Sequence, residues 1–99
     1  MSDTRAFREA TIRTVTEGPA RSSADARRAA FANDGVTEPA RALLGKVVEH
    51  AYKITDDDVQ AAAKALGEDE VFELVVCAAI GTATRQLDAA LAALAEAEE

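Results

Sequence analysis

Residues 69–97 read DEVFELVVCAAIGTATRQLDAALAALAEA, and this stretch decides the fold. It contains no Pro, opens on the acids Asp69, Glu70 and Glu73 that suit the positive end of a helix dipole, and stays apolar for most of its length. The pattern predicts one long helix. Val71, Phe72, Leu74, Val75, Val76, Cys77 and Ile80 make its first half apolar almost all round, which demands burial on several sides. Phe72, Val76, Ala79, Ala83, Leu87, Ala90 and Leu94 continue as a single stripe along the same rod.

Upstream, Ala40, Leu43, Leu44, Val47, Val48, Ala51 and Tyr52 keep helical spacing behind Thr37 as cap and Pro39 in the first turn, so a helix through Tyr52 is expected. Thr55 and Asp58 have capping-box spacing, and Val59, Ala62, Ala63 and Leu66 form a stripe that Gly67 ends. Nearer the N-terminus, Ser2 is placed to cap a helix running to Glu17, stopped by Gly18-Pro19, with Phe7, Thr11 and Val15 as its apolar row. Ser22 and Asp25 suggest another capping box before a short helix, Ala24 to Asn33, whose Arg27-Arg28 pair reads as a solvated face. The expectation is a single all-α domain over 1–99, a small bundle of four or five helices. Its 1–36 part is weakly packed, its 37–97 part is the helical core, and Ala40–Tyr52 packs on Asp69–Ala83.

Composition agrees with helices and sets limits. Of 99 residues 48% are hydrophobic, but half of these are Ala, and aromatics make up only 4%. An Ala side chain buries one methyl, so large apolar groups are scarce, and a core this small gains little surplus stability alone. A homo-oligomer is therefore expected, with Phe72, Val76, Ala79, Ile80, Ala83, Leu87, Leu91 and Leu94 as interface residues and the small residues Ala78, Ala79, Gly81 and Ala83 admitting a close helix. The net charge of -7 argues against a nucleic-acid backbone as partner. That charge is uneven: residues 1–50 carry eight bases and seven acids, residues 51–99 three bases and eleven acids.

The single Cys77 allows no intrachain disulfide and no thiolate zinc cage. Met1–Arg13 has no signal-peptide run, and the longest apolar run, Leu74–Ala83, is shorter than the roughly 20 residues of a membrane span, so a cytoplasmic protein with no membrane partner is expected. Four residues are weak catalytic candidates. Cys77 lies in the most apolar stretch, which favours a packed thiol over a redox centre. His50 sits beside Glu49, Lys46 and Lys53 with no second His at ligand spacing, so no metal site is expected. Arg85 is a lone base suited to an ion pair with Asp88, or to a carboxylate pocket shared with Thr84 and a neighbouring subunit's His50 or Tyr52. Asp56–Asp58 read as a helix start, not a cation loop.

Ala51-Tyr52-Lys53-Ile54-Thr55-Asp56-Asp57-Asp58-Val59, Glu70-Val71-Phe72-Glu73-Leu74, Ala78-Ala79-Ile80-Gly81 and Arg85-Gln86-Leu87-Asp88 resemble the carboxymuconolactone decarboxylase-like, or alkylhydroperoxidase D-like, superfamily over residues 40–94. The resemblance implies an alkylhydroperoxidase D-like helical fold that assembles into dimers, trimers or hexamers in a bacterial cytosol. The redox members of that family use a C-x-x-C dithiol followed by His, and Cys77 alone cannot both attack and resolve. The leading expectation is thus a non-catalytic or partner-dependent oligomeric assembly or interaction module, with no cofactor. Its alternative is a small redox or acid-base enzyme with intersubunit pockets, acting on a peroxide-linked partner or a small carboxylate. A third is a small subunit ordered on a larger protein partner.

Overall fold

The computed structural model describes residues 2–98, with side chains from Arg5 onward, so the capping expected of Ser2 lies outside the described side chains. Five α-helices follow one another: α1 Ser2–Glu17, α2 Ala24–Ala32, α3 Ala40–Glu49, α4 Asp56–Leu66 and α5 Glu68–Ala97, with a 3₁₀ turn at Ala51–Lys53. The described residues contain no strand. All four shorter helices pack on α5. At about 1.5 Å per residue α5 is roughly 45 Å long, which accounts for most of the 50 Å long axis. The radius of gyration, 15.0 Å, exceeds the ~13 Å of a compact chain of this length because the end of α5 projects past the bundle.

The core is built on one side of α5. Val71, Leu74, Cys77, Ala78 and Gly81 are buried, joined by Leu43 and Leu44 of α3, Ala62 of α4 and Ala30 of α2. The N-terminal third joins this core through Ala30, with Val15, Ala26, Phe31 and Val36 partly buried against it. Small size is what brings α2 in: a Cβ on Gly81 would lie 1.9 Å from the Phe31 carbonyl oxygen, so the two backbones touch. Gly81 and Ala78 thus receive a helix of the same chain, whereas Ala79 and Ala83 lie exposed.

The helix ends follow local chemistry. Thr55 and Asp58 close the expected capping box on α4, and Lys46 Nζ reaches Asp58 Oδ2 at 2.7 Å, tying α3 to α4. At α2 the cap is Ser23, which accepts from the Ala26 N–H, not Ser22. The chain leaves α2 through Asn33 in the left-handed region, φ 53°, where a short amide side chain is tolerated. Pro39, rather than Thr37, precedes α3 and gives it no side-chain cap.

Two stripes differ from their sequence spacing. α3 stops at Glu49 because His50 leaves helical geometry (φ -146°, ψ 61°), so Ala51 and Tyr52 turn out to solvent and Tyr52 is 81% exposed. In α1, Phe7 and Thr11 face out, while Ile12, Val15 and Thr16 face in. Thr11, Thr14 and Thr16 each return a hydroxyl to the carbonyl four residues back, which satisfies them locally and leaves inward facing to be decided by α2 and α5.

Candidate functional site

The four sequence candidates do not converge. Cys77 is fully buried, its thiol donating weakly to the Val15 carbonyl at 3.5 Å. Burial pushes its pKa up, with Glu73 adding to the rise and Arg27 opposing it; the reactive thiolate is therefore disfavoured. His50 and Tyr52 are exposed at the end of α3, their rings edge-to-face at 5.9 Å, with Lys53 Nζ 5.8 Å from the Tyr52 ring centroid.

Arg85 has a different partner from the expected one. Its Nη1 donates to the Phe31 carbonyl at 2.6 Å and its Nη2 to Thr82 Oγ1 at 3.3 Å. It therefore caps the C-terminal end of α2, where carbonyls lack intrahelical donors and a cation suits the dipole. Asp88 pairs instead with Arg8 at 3.0 Å. Among the described residues no group of three or more His, Cys, Asp and Glu could hold a metal ion.

One polar cluster was not expected. Arg27 is only 5% exposed, contrary to its reading as a solvated residue, and its Nη1 donates to the Val15 carbonyl at 3.0 Å. It thus serves the end of α1 as Arg85 serves that of α2. Beside it Glu73 accepts from the Arg21 N–H at 3.0 Å, the Ser22 N–H at 2.8 Å and the Ser22 hydroxyl at 2.7 Å. These bonds, the Arg21 one foremost, and the nearby Arg27 charge hold the Glu73 carboxyl below its ordinary pKa. The signal in the sequence was spacing: Arg27, Ala30 and Phe31 stand at i, i+3 and i+4, which puts the arginine on the inward stripe of α2.

A cleft of about 210 Å³ lies against this cluster, with Arg27 and Glu73 on its polar side and Val15, Pro19, Phe72 and Val76 among its walls. A second, apolar groove of about 530 Å³ runs between α4 and α5, with Leu43, Val59, Val71, Phe72 and Val75 in its lining and Glu68 and Asp69 on its rim. Neither is lined by Cys77, His50, Tyr52 or Arg85.

Four of the seven large apolar side chains exposed among the described residues lie on the outer side of α5. Phe72 is 70% exposed and Leu87, Leu91 and Leu94 about half exposed, with Ala79 and Ala83 open between them. At about 100° per residue these positions lie opposite the buried Leu74, Ala78 and Gly81. By length and composition alone α5 is also long and apolar enough to cross a membrane, a property that the Leu74–Ala83 run did not suggest. Compared with known family models, curated proteins and solved structures, the chain finds no match in any of the three.

Proposed function

We propose that this protein is a non-catalytic assembly module whose working surface is the outer side of α5, covered by the same surface of a second copy. The observation that carries this reading is the bare strip of Phe72, Leu87, Leu91 and Leu94 behind an already filled core. These side chains expose on the order of 500 Å² of apolar surface, at the upper end of what monomers leave bare and more than half of the ~800 Å² each partner buries in a standard interface.

Charge supports a second copy as the occupant. Between Leu74 and Ala95 the only charged residues are Arg85 and Asp88, and both are tied to α2 and α1. From Val76 to Leu94 the strip is thus neutral, and two chains of net charge -7 can set this part together in a self-complementary contact, with the acids Glu68 and Asp69 at the rim beside Phe72. The likeness of residues 40–94 to carboxymuconolactone decarboxylase-like proteins belongs to the same proposal, as a helical assembly scaffold kept without dithiol chemistry. Burial of Cys77 and separate engagement of Arg85 favour this over the enzyme reading.

The test is light scattering behind size exclusion over a wide concentration range, for the wild type, Leu87→Glu and Leu91→Glu. The expected masses are a multiple of 10.4 kDa for the wild type and a single chain for both variants, with unchanged helical content. A wild-type monomer at every concentration overturns the proposal, as does a monomer that floats with phosphatidylcholine or anionic vesicles, which would assign the strip to lipid.

A further inference from the structure

The apolar positions on the outer side of α5 carry a symmetry of their own. From Phe72 to Leu94 the stripe runs at intervals of 4, 3, 4, 4, 3 and 4 residues, and the two adjacent fours meet at Ala83. The spacing therefore reads the same from Ala83 toward either end. An unbroken heptad alternates threes and fours; the extra four brings the repeat close to that of a straight α-helix, so the stripe keeps one face without supercoiling.

Side-chain size follows the same symmetry. Turned about a two-fold axis at Ala83, two copies of the helix set Phe72 beside Leu94, Val76 beside Ala90 and Ala79 beside Leu87, with Ala83 beside itself. Near the centre each larger side chain meets a methyl, and the bulkiest pair meets at the ends, where crossing helices diverge. A parallel pair would instead set Leu87 on Leu87 and Ala79 on Ala79, crowding one turn and leaving a gap in another. Opposed helix dipoles favour the antiparallel pair as well.

The bundle leaves room for this pairing and offers a seat at its end. The buried residues of α5 all lie between Val71 and Gly81, whereas every residue from Arg85 to Glu98 is exposed. Phe72 and Leu94 stand about 16 Å to either side of Ala83. The bare end of one rod thus reaches the apolar groove of about 530 Å³ beside Phe72 of the other, walled by Val59 of α4 and by Val71 and Val75 of α5. With Val59, 41% exposed, and the open alanines of the strip, the apolar surface covered per chain reaches roughly 700 Å², close to the ~800 Å² each partner buries in a standard interface. Glu68 of one chain and Glu98 of the other come together at each end; both are exposed, where solvent and salt keep their repulsion small.

Building on the assembly reading above, we propose that two copies pair α5 antiparallel about Ala83, the projecting end of each seating Leu94 over the α4–α5 groove of the other. The groove is completed only by the second chain.

The test is the distance between two nitroxide labels, one per chain, attached at Glu96→Cys and measured by pulsed electron paramagnetic resonance, with the mass followed by light scattering. The native Cys77 is fully buried and out of reach of the labelling reagent. At about 1.5 Å per residue from Ala83 to position 96 on each chain, the antiparallel pair holds the labels about 40 Å apart, whereas a parallel pair holds them within about 20 Å. Val59→Glu, on α4 and outside the strip, should raise the dissociation constant about tenfold or more with unchanged helical content. A separation of about 20 Å or less in a particle of more than one chain overturns the antiparallel pairing and leaves the second-copy reading standing. An unchanged dissociation constant in Val59→Glu overturns the seat in the groove. A single-chain mass without dipolar coupling at every concentration overturns both this proposal and the assembly reading.

Discussion

The inner and outer sides of α5 are written in similar residues and meet opposite fates. Inward, Val71, Leu74, Cys77, Ala78 and Gly81 are buried under four other helices. Outward, Phe72, Leu87, Leu91 and Leu94 are bare, though Phe72 is the largest apolar side chain of the helix. The difference lies in what the neighbours can reach. The chain has few bulky residues left for a second layer, and it covers one side of α5 with Leu43 and Leu44 of α3 and with α2 set backbone to backbone at Gly81. Apolarity therefore tells that a face wants cover, whereas the supply of partners within the chain tells which face receives it.

The sharpest way to break this contrast is to enlarge a residue on each side. Gly81→Ala gains about 1 kcal/mol of helix propensity, but its Cβ would fall 1.9 Å from a backbone oxygen that cannot swing away. The clash wins, and urea unfolding should show a loss of about 3 kcal/mol or more. The outward Ala83→Leu should change the stability of the isolated chain by no more than about 0.5 kcal/mol. Truncation sharpens the same contrast. Leu74→Ala, at a position 5% exposed, should cost about 2–5 kcal/mol, while Leu91→Ala should leave the monomer's stability within about 0.5 kcal/mol and weaken assembly.

Smaller effects separate the inner side's polar fastenings from the neutral outer strip. Glu73→Gln keeps the shape but gives up charge-assisted bonds to Arg21 and Ser22, a loss of about 1–2 kcal/mol at neutral pH. Acid should act through the same group. Glu73 is held below its ordinary value by the Arg21 and Ser22 donors, and Asp58 by Lys46 and Thr55. Folded pKa values lower than unfolded ones mean that the stabilisation is complete above the ordinary carboxylate values. It is then lost as pH falls through the lowered ones, and thermal melts should decline over that interval, less steeply in Glu73→Gln. Thr55→Ala, which opens the α4 capping box, should cost about 1 kcal/mol in the same melts.

These particulars also mark how far the amino-acid order could be read. Thr55–Asp58 and the start of α5 were legible because caps and dipole-matching acids act within one turn. The end of α3 was not, because Ala51 and Tyr52 keep perfect helical spacing while the backbone departs at His50. Arg85 was legible as a lone base but not its partner, the Phe31 carbonyl, which sequence distance hides. Arg27 was misread because it adjoins Arg28, and only its register with Ala30 and Phe31 betrays that it turns inward. The fully buried Cys77 is where its apolar neighbourhood implied.

The central claim is that a second copy covers the outer side of α5, and the absence of Trp from the chain allows one residue to report on it. In Phe72→Trp, the single indole should emit at blue-shifted wavelengths at high protein concentration. On dilution, or in combination with Leu91→Glu, the emission should move to that of a solvated indole. Solvated emission at every concentration would contradict the account.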